Sequence, residues 1–326
     1  MCAALCGLLL ATAVNAYAGE RQVSLDWLKT VAFAAHQTDY SGVFVYQYDN
    51  RVETSRITHV VEPDSEYEKL ESLDGPKREI IRHHGQVWCY INHKMVQVDS
   101  QRGRGRFPSL LPDQLSALSG NYQVKEAGLE RIAGYNTQVI LFQPKDNLRY
   151  THKIWAHTDS GLLLKSAVLG DKNQVVEQYT FTQLKIGGEV DRTWVLLSKT
   201  GIAPGTSGTH DATQAGPDLG RVGTPVNSGW VVDVLPTGFK KTMEVQRPMR
   251  GKHAPVTQLV FSDGLSAISV FVEPVDADED DVDGLSSRGA VNLYRKVVDR
   301  HLFTVVGEVP PRTVMQVLDS VRYNGQ

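Results

Sequence analysis

The feature that most constrains this chain is a set of strand-like segments that are apolar at both parities. In "GVFVYQYDN", Val43 and Val45 alternate with Phe44, Tyr46 and Tyr48; in "QVWCYIN", Val87, Cys89 and Ile91 alternate with Trp88 and Tyr90. Successive side chains on a strand point to opposite faces, so a sheet with one wet face needs apolar residues at one parity only. A sheet made from these segments has two faces to cover. Either helices pack on a curved sheet, or the sheet curls around a ligand, since large apolar pockets are how ligand sites are usually built.

The segments come in close order. After one amphipathic helix, with Ser24 as N-cap and Leu25, Leu28, Val31 and Ala35 at helical spacing, the chain runs through short β-branched and aromatic stretches split by turn signals. "SRITHVVEP", "YEKLESLDG", "REIIRHHG" and "MVQVD" complete a first meander. Leu70–Leu73 and Arg78–Arg82 read as a hairpin closed by Asp74-Gly75-Pro76-Lys77. A short helix is expected around Leu111, Leu115 and Leu118. A second meander follows, from "YQVKEAG" to "VVEQYTFTQLK", with turns at Asp159-Ser160-Gly161 and Asp171-Lys172-Asn173, whose residues tolerate positive φ. The fold class is therefore α+β, mostly antiparallel β.

The chain opens on "MCAALCGLLLATAVNAYAGE", an apolar run ending in Ala16-Tyr17-Ala18, the small-x-small pattern of a cleavable secretory signal over residues 1–18. The run is too short to cross a bilayer. No basic segment precedes it, which points to a start further upstream. A lipidated Cys6 does not fit, because the apolar run follows that cysteine. Cleavage near Ala18 leaves Cys89 as the one thiol, so an ordinary core must hold the fold. That usage suits the bacterial periplasm. A large domain is expected over residues 19–200. Residues 201–229 are rich in Gly, Thr, Pro and Ser and read as a linker. A smaller domain over 230–326 has further strands and a closing helix from Arg312 to Val321, with Val314, Val317, Leu318 and Val321 on one face.

The chemistry that the sequence offers is sparse. Net charge is −3 and no basic tract is long enough to track phosphates, which argues against nucleic acid as a partner. Nucleophile elbows, Walker loops, H-E-x-x-H and paired Cys-x-x-Cys are absent. Ser207 in "GTSGTH" lacks the G-x-S-x-G spacing and falls in the linker. His83 and His84 are adjacent on a strand and face opposite ways, so a shared metal is awkward. The acidic run from Asp276 to Asp283 fails as an EF-hand, because Ala290 stands where a bidentate glutamate is required; a solvated loop is the better account. No metal or cofactor is expected, and a hydrolase, which would need a nucleophile and a base that are not found in the sequence, ranks last among the readings.

Several stretches, in order, do carry a resemblance: "SGVFVYQYD" from Ser41, "LESLDGPKREIIRHHG" from Leu70, "DNLRYTHKIWAHTDSGLLLKS" from Asp146, "LPTGFK" from Leu235, "FSDGLSAISVFVEP" from Phe261 and "VVGEVP" from Val305. The set resembles the MucB/RseB family over nearly the whole mature chain. It departs at Leu163, where proline is expected, and in its strongly acidic loop. The resemblance implies a large unclosed curved sheet holding helices, similar to lipoprotein carriers, followed by a small α/β domain. It implies a periplasmic, non-enzymatic regulator that binds the periplasmic region of a membrane-spanning anti-sigma factor and shields it from proteolysis. Acylated lipid or lipopolysaccharide would enter the large domain and favour release. A lipid or lipoprotein carrier is the alternative; the second domain favours the regulator. Phe44, Tyr46, Trp88 and Tyr90 are the residues expected to line a lipid cup, and Phe239, Phe261 and Phe271 to meet the protein partner, with core packing the competing account for each. A homodimer is compatible with the sequence.

Overall fold

The computed structural model describes residues 22–83, 85–91, 94–99, 106–112, 114–195, 223–248, 254–275 and 283–325. The signal segment, Ser207, His84, His93 and the acidic run up to Val282 lie outside the described residues.

Helix α1, Leu25–Gln37, starts where Ser24 Oγ accepts a hydrogen bond from the Trp27 amide at 3.1 Å, satisfying one of the donors a helix start leaves open. Its Leu28, Val31, Ala32, Ala34 and Ala35 are buried. Strands β1 (Tyr40–Tyr48), β2 (Arg51–Glu62), β3 (Ser65–Ser72), β4 (Arg78–His83), β5 (Gln86–Ile91) and β6 (Lys94–Asp99) form the first meander. After a 3-10 turn, Leu115–Ala117, and a one-turn helix α2, Leu118–Asn121, the second meander comprises β7 (Tyr122–Ile132), β8 (Tyr135–Pro144), β9 (Thr151–His157), β10 (Leu163–Leu169) and β11 (Val175–Ile186). The turns bear out their composition: Gly75, Gly161 and Asn173 have φ of 67°, 77° and 59°.

Pairing of β1 with β11 joins the meanders into one antiparallel sheet of eleven strands that ends at β6 on one side and β7 on the other, so the sheet is not closed; Gln22 adds a single antiparallel bridge to Lys125 of β7. Gly42 makes the join possible, because a Cβ there would lie 2.6 Å from the Gln183 carbonyl and 2.8 Å from the Phe181 ring.

The two faces are covered in different ways. Following the register across β1 to β5 puts Phe44, Ile57, Leu70, Ile80 and Cys89 on one face, and Val60, Tyr67, Ile81 and Trp88 on the other. The first face carries α1 and the segment with Phe107, Leu111, Leu115 and Leu118, which form the main core with Phe44, Tyr122, Phe142 and Phe181. Over β2 to β5 the second face is covered by a helical turn at residues 193–195, at the entrance to the linker, whose Trp194 and Val195 pack on Val60, Tyr67 and Ile81. Over β8 to β10 it is covered by Trp155, with the Lys153 and Lys165 ammonium groups each 4.6 Å from the ring centroid. The long lysine stems shield apolar surface while their heads stay wet. Apolar residues at both parities thus reflect local aromatic lids.

The small domain has strands β12 (Thr224–Pro225), β13 (Trp230–Val232), β14 (Lys240–Arg247), β15 (Val256–Ser262), β16 (Ala267–Pro274), β17 (Gly284–Arg288), β18 (Val291–Val298), β19 (His301–Gly307) and β20 (Val321–Tyr323), and helix α3, Pro311–Asp319. Seven strands form one sheet in the order β12-β14-β15-β16-β19-β18-β17, and β13 pairs with β20. Its sheet begins before Trp230, because Thr224 pairs with Gln246 inside the stretch read as linker. Val314, Val317 and Leu318 of α3 close the core on Leu259, Ile268, Val270 and Val305; the helix stops at Asp319, short of the expected Val321, which instead opens β20 and pairs with Val232 of β13.

Candidate binding surfaces

The expected lipid cup does not assemble. Phe44 is a core residue in contact with Phe107 and Phe181, and Tyr46 stacks on Tyr179 with centroids 4.3 Å apart. Trp88 and Tyr90 sit on the opposite face, beside Trp194. The four cannot line one cavity, since alternate residues of β5 face opposite ways and Cys89 takes the parity that matches Phe44. On the partner side, Phe239 and Phe261 are buried in the small-domain core and Phe271 is half-buried in β16. His83 lies flat on Tyr67, with centroids 3.9 Å apart, as part of the sheet surface.

A cavity of about 510 Å³ opens elsewhere on the large domain. Val23, Leu25 and Leu28 from the start of α1, Leu115 and Leu118 from the short helices, and Tyr122 and Val124 from β7 give it an apolar lining. Lys125 and Lys145 also line it. Gln22, Ser116, Ser119 and Gln123 complete a lining in which apolar and polar groups are mixed, a setting that suits an amphipathic ligand.

One cavity wall is shared with the junction between the domains. Tyr122 donates its hydroxyl to Asp263 at 2.9 Å, and Asp263 belongs to the turn between β15 and β16. The same carboxylate accepts from Arg149 Nε at 2.7 Å and from the amides of Leu265 and Ser266 at 3.0 and 2.8 Å. Arg149 is completed by the Asp146 carboxylate and the Thr237 carbonyl, and lies against the Tyr122 and Phe239 rings. Burial and the Asp263 carboxylate push the Tyr122 phenol well above its ordinary range, so it stays a donor. Neighbours of Arg149 extend the contact: Leu148 accepts from Thr313 Oγ1 at 2.9 Å, and the Tyr150 hydroxyl accepts from Asn292 Nδ2 at 2.9 Å.

A second junction forms where the turn between β17 and β18 meets β1 and β11. Arg288 donates to the Tyr48 hydroxyl at 2.7 Å with its guanidinium 4.8 Å from the ring centroid. The Gly289 amide reaches Asp49 at 3.3 Å, and the Ala290 amide reaches Glu177 at 3.1 Å. Glu177 also accepts from Tyr46, whose phenol is raised by burial and by that carboxylate. Tyr46, expected to touch lipid, supports this junction.

None of these junction charges was singled out from the sequence, although Arg149 and Asp263 stand inside "DNLRYTHKIWAH" and "FSDGLSAISV". A charged pair set in otherwise apolar or turn-forming stretches is the signal that could have found them. Among the described residues no cluster of His, Cys, Asp and Glu has the geometry to hold a metal.

Comparison with known proteins covers both domains. Residues 24–197 match the model of the MucB/RseB N-terminal domain and residues 224–322 that of the C-terminal domain. The chain is 32% identical over 326 aligned residues to the sigma factor AlgU regulatory protein MucB of Pseudomonas aeruginosa, covering 97% of this chain and 96% of that one. It is 24% identical to the sigma-E factor regulatory protein RseB of Escherichia coli, covering 91% and 89%. Among solved structures, the Pseudomonas aeruginosa MucA/MucB complex matches with a TM-score of 0.71 at 30% identity, covering 92% of this chain and 99% of that one. A crystal structure of MucB matches with a TM-score of 0.60 at 30% identity, covering 91% and 97%.

Proposed function

The chain belongs to the MucB/RseB family, and on that premise we propose that it is a periplasmic regulator that binds the periplasmic region of a membrane-spanning anti-sigma factor. Binding shields that region from regulated proteolysis, and acylated lipid or lipopolysaccharide favours release. The role is one of binding, with no chemistry on the partner. The observation that carries the reading is the match to a solved complex of a relative with MucA across 92% of this chain, both domains included. In this reading residues 19–200 sense lipid and the unit from residue 230 onward takes the main share of the protein partner.

The coupling has a physical route. Lipid can weaken partner binding only if it prefers one arrangement of the domains, and the partner must weaken lipid binding by the same factor. Tyr122 lines the cavity and also holds Asp263. An acyl chain that shifts Tyr122 therefore acts on the junction, and Lys125 and Lys145 meet its anionic head.

The test is fluorescence anisotropy of a labelled anti-sigma periplasmic segment with the full chain, with and without lipopolysaccharide. Binding that falls as lipopolysaccharide is added is the expected result. The double variant Lys125→Glu, Lys145→Glu should blunt the fall and leave lipid-free binding intact. Failure to bind the segment, with lipopolysaccharide still bound, would favour the carrier reading.

A further inference from the structure

Three segments far apart in sequence meet at the C-terminal end of α1. His36 Nδ1 lies 2.9 Å from Glu66 Oε2 at the start of β3, and its Nε2 lies 2.8 Å from Ser109 Oγ in the segment before α2. Glu66 is also 3.6 Å from Nε2 of His59. His59 is buried, stacked on Tyr40 and bonded through Nδ1 to the Thr38 carbonyl. The hydrogen bond with His36, with the His59 ring close by, holds the Glu66 carboxyl down to about 2. It is therefore a carboxylate at neutral pH and can only accept. A neutral His36 must then carry its proton on Nδ1, which leaves Nε2 as an acceptor and makes Ser109 the donor. That is the order of roles in a serine nucleophile, a histidine base and an orienting carboxylate, a constellation recognised by geometry, not by sequence position.

We propose that Ser109, His36 and Glu66 form a working nucleophile–base–carboxylate chain that makes Ser109 reactive toward acyl esters. Ser109 Oγ attacks the ester carbonyl carbon and gives its proton to His36 Nε2. The carbon–oxygen bond to the alcohol breaks, and the leaving alcohol takes that proton. Water then hydrolyses the acyl-serine by the same route, releasing a carboxylic acid and restoring the hydroxyl. Ser109 is a catalytic residue in this scheme, His36 its base and Glu66 a positioning residue. The His36 and Glu66 side chains are 44% and 47% exposed, and charges in a wet site stabilise a transition state far less than in a dry one. Acylation with slow turnover is the activity that this geometry supports. It is separate from the proposed regulatory function, which uses no chemistry.

The experiment is labelling of the full chain with a fluorophosphonate, which forms an oxygen–phosphorus bond at an activated serine and expels fluoride, followed by peptide mass spectrometry. The expected result is one modified serine, Ser109. Ser109→Ala removes a hydroxyl from a loop and should abolish labelling without unfolding the protein. His36→Gln should slow labelling by about 10²-fold or more. Glu66→Gln should slow it and move the half-maximal rate to lower pH, because the imidazolium loses its carboxylate; tethering of a loop alone would produce no such shift. Release of p-nitrophenolate from p-nitrophenyl butyrate, faster in the wild type than in Ser109→Ala, is the second readout. Absence of label on Ser109, or His36→Gln labelled at the wild-type rate, would overturn the proposal and leave the chain of hydrogen bonds as a tether between α1, β3 and the loop.

Discussion

At Asp263 the two domains meet through charges that water does not reach, whereas at Arg288 they meet through a charge that stays wet. The Arg149 and Asp263 side chains are 1% and 0% exposed, against 65% and 38% for Arg288 and Glu53. A buried pair adds little over well-packed apolar groups of the same size, yet removing one partner strands the other in a place where it cannot be solvated. An exposed pair costs little to form and little to lose. The Asp263 junction is therefore nearly all-or-none and fixes register. At the second junction the Arg288–Glu53 pair contributes little, and what closes it is the buried Glu177 carboxylate on the Ala290 amide.

The strongest way to break this contrast is Asp263→Ala. It leaves the Arg149 guanidinium buried with only Asp146 and the Thr237 carbonyl, and takes an acceptor from Tyr122. A loss of about 3–5 kcal/mol is expected in denaturant unfolding. Replacing both members, Arg149→Met with Asp263→Leu, should recover most of it, and the double-mutant cycle isolates the pair. A loss below about 1 kcal/mol in the single variant would mean that water reaches the pair and that the two junctions are alike.

Gly289→Ala is expected to have the next largest effect. Gly289 has a φ of 56°, and a Cβ there would lie 2.7 Å from Glu177 Oε2 and 3.1 Å from Tyr48 Cβ. The left-handed backbone costs an L-residue roughly 1–2 kcal/mol, and the clash pushes away the carboxylate that the Ala290 amide needs. Hydrogen exchange should show the Ala290 amide losing protection while the Ser266 amide, bonded to Asp263 at the other junction, keeps its own. Equal loss at both would show the junctions to be one cooperative unit.

What the sequence made legible is local, and what it hid is relational. Helix α1, both meanders, their turns and the closing helix α3 follow from patterns within about ten residues, where propensity and period act. Trp88, Tyr90 and Phe44 look alike in sequence, aromatic residues on strands apolar at both parities; the face each takes depends on register summed across four strand pairs, in which one step reverses every side chain. The junction charges Arg149 and Asp263 are separated by more than a hundred positions and owe their meaning to burial, which no local window reports. The same holds for Ser109, His36 and Glu66, which carry no spacing motif because three different elements deliver them.

Arg288→Ala should have the smallest effect, and for that reason it tests the comparison from the other side. The guanidinium gives up a cation–π contact at 4.8 Å and a hydrogen bond to Tyr48, with Glu53 a further 3.4 Å neighbour. At a wet site such contacts contribute about 1 kcal/mol or less, and salt screens the ionic part. Global stability should barely change, and what remains of the effect should shrink further between low and high ionic strength. The stability cost of Asp263→Ala should be nearly salt-independent, since a dry pair is poorly screened. If instead Arg288→Ala cost as much as Asp263→Ala, exposure would be a poor guide to which charged pair holds the domains.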